Sequence, residues 1–201
     1  MRPDPAVRPE YVAAFREILS RIVASLAGTQ RRALPVRMYV AGGAAMHFYT
    51  AERVSEDIDA TFSRRLALPE DLEVAYRDAD GAARLLYFDR QYNDTLGLLH
   101  EDAHEDSLPL ALEGIDAGVI DVRLLAPTDL AVSKIGRLSD QDRADIAALA
   151  RRGLIRANAV RRRAEEAMSG YVGDLARLRN STEIAVRIIR DAERMAKSGK
   201  R

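Results

Sequence analysis

At 201 residues, with 47% apolar and 31% charged side chains, the chain has room for one sizeable core or for a small catalytic domain with a helical appendage. No apolar run is long enough to span a bilayer and the N-terminus around Asp4 lacks a secretory apolar segment, so a cytoplasmic protein without membrane contact is expected; the absence of cysteine excludes disulfides and thiolate metal sites. Net charge is zero, yet 18 acids face six bases between Glu52 and Asp121, and 14 bases face six acids between Arg151 and Arg201. Such asymmetry fits an acidic metal-binding half and a basic surface for a polyanion, and equally fits helix faces with internal charge pairing.

From Pro9 to Gly28, Tyr11, Phe15, Ile18, Ile22 and Leu26 recur at helical spacing, and Gly28 supplies a stop. A linker then leads to an apolar strand, Val36 to Ala41. Gly42 and Gly43 open a helix to Thr50, where His47 reads as a core or rim histidine. Glycines without Cβ let a phosphate approach the backbone, and the first amides of the helix behind them are unpaired donors for an anion.

The next strand carries Asp57 and Asp59 around Ile58. Alternation projects both carboxylates from one face and turns Ile58 into the core. Two carboxylates that close repel unless a cation lies between them, and a hard, oxygen-loving ion such as Mg²⁺ is the usual answer. Glycine turn and aspartate pair together suggest a nucleoside triphosphate cradled by the one and a metal held by the other.

Leu72 to Arg77 and Ala83 to Asp89 read as strands joined by a hairpin at Asp78-Ala79-Asp80-Gly81. From Gln91 to Glu113 the chain is polar and irregular. Within it His100-Glu101-Asp102-Ala103-His104 matches the H-E-x-x-H zinc pattern, but that pattern needs a well-buried helix, and this acidic stretch between Gly97 and Pro109 has little apolar periodicity. A solvent-facing loop or a substrate-contacting lid is the favoured reading.

Val119 to Leu125 is a further strand, and helix follows to the end. Pro127-Thr128-Asp129 opens one helix, Ser139 caps the next, and Gly153 ends it. Arg156 to Met168 and Asp174 to Lys197 are two more amphipathic helices. Arg161, Arg162 and Arg163 offer phosphate-neutralising charge, though three neighbours on a helix fan across different faces.

Ala41-Gly42-Gly43, a 13-residue spacer and Asp57-Ile58-Asp59-Ala60 resemble the signature of the nucleotidyltransferase superfamily, and Arg53-Val54-Ser55-Glu56 resembles the lead-in of some branches. Asp129-Leu-Ala-Val-Ser-Lys134 and Asp145-Ile-Ala-Ala-Leu149 narrow the resemblance to AbiEii-type abortive-infection nucleotidyltransferases. Arg84-Leu-Leu-Tyr-Phe-Asp89 departs from that family's Lys-x-x-x-x-Asp; arginine keeps the charge and changes the hydrogen-bonding geometry.

The resemblance implies an α/β (α+β) fold with a small mixed sheet, flanking helices and a helical C-terminal region, divided here into a catalytic core over 1–125 and a helical region over 126–201. It implies Mg²⁺, one or two ions, on Asp57 and Asp59 with Asp89 as third acid and Asp94 or Asp121 in reserve. Gly42, Gly43 and Ser55 would position phosphates, Lys134 would neutralise the leaving group, and Asp145 would act as base or orient the lysine. The expected reaction moves a nucleoside monophosphate from a triphosphate to an acceptor hydroxyl, with tRNA as acceptor and a separately encoded antitoxin as partner. Two alternatives stand beside it: a non-catalytic descendant binding a nucleotide or a protein, and a small-molecule enzyme resembling antibiotic-modifying nucleotidyltransferases. A zinc hydrolase built on His100 and His104 is the minor fourth reading.

Overall fold

The structure, a computed structural model, describes residues 6–94 and 97–198. The chain divides into two units, Met1–Tyr92 with Ser107–Leu124, and Asn93–Asp106 with Leu125–Arg201.

In the first unit, helix α1 (Pro9–Ser25) starts with proline in its first turn and buries Tyr11, Ala14, Phe15, Ile18, Leu19 and Ile22, the three- and four-residue spacing that puts them on one side. Strand β1 (Val36–Val40) runs into helix α2 (Gly42–Thr50), which is buried over nearly its whole length. Strands β2 (Asp57–Ile58), β3 (Ala60–Phe62), β4 (Glu73–Arg77), β5 (Ala83–Phe88), β6 (Leu108–Pro109) and β7 (Ile120–Leu124) follow. They form a four-stranded sheet, β3-β1-β7-β6, and a three-stranded sheet, β2-β5-β4. Both are mixed: β1 is parallel to β7 and antiparallel to β3, while β5 is parallel to β2 and antiparallel to β4.

The aspartate segment, expected as one strand, is two. Ile58 pairs into the three-stranded sheet and Ala60 into the four-stranded sheet, so the chain changes sheets at Asp59. The short β6, which lies in the stretch read as irregular, adds Leu108 and Pro109 beside Leu124 and Arg123. Two residues ending in proline give no periodicity to read, and proline is tolerated there because the strand is at the sheet edge.

Exposure alternates along β4 and over Leu85–Phe88 of β5, with Leu86 and Phe88 buried and Leu85 and Tyr87 exposed. Helix α1 packs on β4 and β5. The expected hairpin joins them, and its turn is organised by Asp78, whose carboxylate accepts the N–H groups of Asp80 and Ala82, both at 3.1 Å, and the Arg84 guanidinium at 2.9 Å. The Arg84 hydrogen bond, foremost, holds the Asp78 carboxyl below the usual carboxylate range. Arg84 therefore closes a turn.

In the second unit, α3 (Pro127–Ile135), α4 (Asp140–Arg151), α5 (Ala157–Ala167) and α6 (Leu175–Ser198) are the expected helices. Leu178, Thr182, Ala185, Val186 and Ile189 are the buried stripe of α6, which packs on α4 and α5. No helix among the described residues is long and apolar enough to cross a membrane.

Candidate active site

Two features of the first unit meet at the junction of its sheets. Gly42 has φ +56°, a conformation side chains with Cβ rarely adopt, and a Cβ built there would lie 1.7 Å from Asp59 Oδ2. A Cβ on Gly43 would lie 2.2 Å from Ser55 Oγ and 3.3 Å from the Arg53 guanidinium carbon. Ser55 Oγ in turn donates a short hydrogen bond to Asp57 Oδ1. The two acids therefore face adjacent glycines: Asp59 directly, Asp57 through Ser55. The glycines are needed because carboxylate and hydroxyl occupy the space that side chains would fill.

The backbone explains the placement. Asp59 C=O accepts the Ala41 N–H at 2.8 Å, and Ile58 C=O accepts the Asp89 N–H at 3.1 Å. One bond fixes the aspartates to the end of β1, where α2 begins, and the other to the end of β5. Ile58, fully buried between two half-buried aspartates, anchors the segment.

Asp89 lies just beyond β5, and its carboxylate accepts the Gln91 N–H at 2.8 Å. Of the two reserve acids, Asp94 pairs with His104 at 2.9 Å in the second unit, and Asp121 pairs with Arg123 at 3.2 Å on β7. Among the described residues no group of three or more His, Asp or Glu side chains is arranged to hold a metal by itself. Asp57 and Asp59 suit an ion that completes its shell with water or phosphate oxygens, which is how Mg²⁺ is commonly bound. The carboxylate field is felt one strand away: Asp57, foremost, with burial, Asp89, Glu56 and Asp59, raises the Tyr87 hydroxyl above its ordinary value.

His47 is a core histidine, as expected. Its Nδ1 lies 2.5 Å from the Arg53 C=O and its Nε2 accepts the Arg8 N–H at 3.3 Å, so both nitrogens serve the backbone; burial lowers its pKa.

In the second unit, Lys134 Nζ, almost fully buried, donates to Asp145 Oδ2 at 2.7 Å and lies 3.9 Å from Asp142 Oδ1. Gln141 Nε2 donates to the other Asp145 oxygen at 3.0 Å. Arg143, placed between Asp142 and Asp145 along the chain, lies 3.6 Å from exposed Asp140. Asp129 is gripped by Arg163 at 2.7 and 3.2 Å, and Arg161 pairs with Glu183. These two arginines of the basic run thus have acid partners within the unit.

Asp142 completes a capping box with Ser139 and accepts two bonds from Arg137, at 2.8 and 2.9 Å. Burial pushes its carboxyl up, but Arg137 and Ser139 outweigh burial and hold it at about 2, against an ordinary 3.8. A depressed carboxylate stabilises the native state fully above the unfolded value and loses that contribution as pH falls through the folded one. On the order of 2 kcal/mol should therefore disappear between about pH 4 and pH 2. Asp142→Asn should be less stable than the native chain at neutral pH, and acid unfolding curves should show the gap closing across that window.

His100 and His104 flank a single 3₁₀ turn, Glu101–Ala103, in place of the helix a zinc pair requires. His100 Nδ1 accepts the Asp102 N–H at 3.1 Å. Both histidines line a cavity of about 870 Å³ within the second unit, together with Asp94, Glu166 and Tyr171.

A glycine turn is thus set against two carboxylates at the sheet junction. The chain belongs to the family described as nucleotidyltransferase of unknown function (DUF6036), which it matches over residues 17–187. Neither a curated protein nor a solved structure matches it.

Sequence reasoning named Gly42, Gly43, Ser55, Asp57 and Asp59, and these five come together. Lys134 and Asp145 come together in the other unit. What it missed is that Ser55 holds Asp57; a hydroxyl two residues before a carboxylate in an extended segment shares its face, and that spacing is the signal. It also missed Tyr87, which sits opposite Asp57 in the parallel register of β2 and β5.

Proposed function

We propose that this chain transfers a nucleoside monophosphate from a nucleoside triphosphate to an acceptor hydroxyl, and that the acceptor is the end of an RNA. The observation that carries the reading is the fit of Asp59 and Ser55 against Gly42 and Gly43, with Asp57 held by Ser55. Hard oxygen donors gathered against backbone with no side chain suit Mg²⁺ and a triphosphate. Mg²⁺, when bound to Asp57 and Asp59 with Asp89 as a third ligand, supplies charge neutralisation for an in-line displacement that releases pyrophosphate.

The chain's own groups do the rest. Gly42, Gly43 and the first amides of α2 receive phosphate oxygens. Ser55 keeps Asp57 turned toward the notch. In the second unit, Lys134 is oriented by Asp145, and its ammonium has donors beyond the one given to that carboxylate. The ordered motifs at Asp129, Lys134, Asp145 and Leu149 resemble those of AbiEii-type toxins, and on that resemblance the proposed RNA is a tRNA and the proposed partner a cognate antitoxin.

Incubation with each radiolabelled nucleoside triphosphate, Mg²⁺ and total cellular RNA tests the reading. Label should enter RNA with the native chain and be absent with Asp57→Ala Asp59→Ala. Label confined to a small molecule would move the acceptor class, and no label anywhere would sink the reaction.

A further inference from the structure

The outer face of sheet β2-β5-β4 continues from the aspartates as an exposed platform. Parallel pairing sets Asp57 opposite Tyr87, and antiparallel pairing sets Tyr87 opposite Glu73. Residues directly opposite in a sheet point to the same face. Tyr87 therefore projects beside Asp57 on the side that α1 leaves uncovered. Its side chain and that of Leu85, two residues back, are among the few large apolar groups exposed among the described residues, at 39% and 41%. A cavity of about 420 Å³ is lined by Tyr87 with Leu72, Phe88, Arg90 and the acids Glu70, Asp71 and Glu73.

The position of this platform relative to the glycines follows from the backbone. Ile58 C=O bonds toward Asp89 and Asp59 C=O bonds toward Ala41. Successive carbonyls of an extended segment point to opposite edges. The glycine turn thus flanks the aspartates on one edge, and the strand carrying Tyr87 flanks them on the other. An in-line displacement needs the attacking hydroxyl and the leaving pyrophosphate on opposite sides of the reacting phosphorus. If the glycines hold the leaving phosphates, the acceptor enters from the Tyr87 side.

We infer that Tyr87 is an acceptor-binding residue on which the terminal base of the RNA acceptor stacks, with its ribose hydroxyl directed at the metal site. The inference rests on the nucleotidyl-transfer reading above. An exposed tyrosine beside a cavity offers a π-face to any base, and Arg90 at the cavity wall, whose guanidinium also donates to the Pro69 and Glu70 carbonyls, supplies positive charge for the trailing phosphates among Glu70, Asp71 and Glu73. Tyr87 stands at an unspecified position between Arg84 and Asp89, and Arg90 lies just outside that motif.

The test is fluorescence anisotropy of a labelled single-stranded RNA oligonucleotide with a free 3′ hydroxyl, run beside binding of a labelled ATP analogue, both in Mg²⁺. Tyr87→Ala should weaken oligonucleotide binding by about tenfold, within the range for loss of one stacked base, and leave analogue binding unchanged. Tyr87→Phe should bind the oligonucleotide like the native chain. Unchanged oligonucleotide binding in Tyr87→Ala, no binding by the native chain, equal loss in Tyr87→Phe, or a matching loss of the analogue would each overturn the assignment. Tyr87-dependent RNA binding without label transfer would count against the reaction and for this surface.

Discussion

Gly42→Ala should lower the rate of nucleotidyl transfer by about a hundredfold or more, the scale on which small misplacements of catalytic groups act, while the protein stays folded. The added methyl would sit 1.7 Å from Asp59 Oδ2 and 2.6 Å from Cγ. The Asp59 carboxylate ends a rotatable side chain and turns out of the notch, while Asp59 Cβ, 2.9 Å away, is cleared only by a small backbone shift. Folding loses at least the cost of a non-glycine residue at positive φ, about 1–2 kcal/mol. Gly28→Ala is the matched control, because a Cβ there meets nothing within 4 Å. Label-transfer rates and melting temperatures measured on both variants should separate widely at Gly42 and stay near native at Gly28. Activity within a few-fold of native for Gly42→Ala would show that Asp59 does not need its present position.

The second large effect is on stability. Lys134→Met should cost about 3–5 kcal/mol, because it leaves the Asp145 carboxylate buried without its cation. For a chain of this length that corresponds to a melting temperature lower by roughly 10 °C. Replacing both partners with apolar residues, Lys134→Met with Asp145→Leu, should recover much of the loss, since a buried pair is worth far less than the penalty of breaking it. Failure to recover stability would mean that Asp142 and Gln141, the other neighbours of this cluster, need the charges in place.

Much of the fold could be read from the chain because it is local. The helices over Pro9–Ser25 and Leu175–Ser198 declare themselves by apolar spacing, and the hairpin by Asp78 to Gly81. The approach of Asp59 and Ser55 to the paired glycines was also legible, since only residues without a Cβ leave room for them. Pairing between distant segments was not. Nothing near Asp59 says that the chain leaves one sheet for another there; that depends on β1 and β5, contributed from either side in sequence. Partner choice is equally nonlocal. Arg84, which resembles a motif residue, is satisfied by Asp78, and Asp129, in a motif itself, by Arg163, 34 residues away. A charged side chain announces its sign in sequence, and only packing decides which opposite charge it meets.

The central claim is that Asp57 and Asp59 hold a divalent ion against a triphosphate seated on Gly42 and Gly43. Titration of the protein with Mn²⁺ and a non-hydrolysable triphosphate analogue, followed by electron paramagnetic resonance of the free ion, measures this directly. The account predicts ion uptake that requires the analogue's phosphates and is lost in Asp57→Asn Asp59→Asn. Uptake by that variant equal to the native chain's would place the ion elsewhere and contradict it.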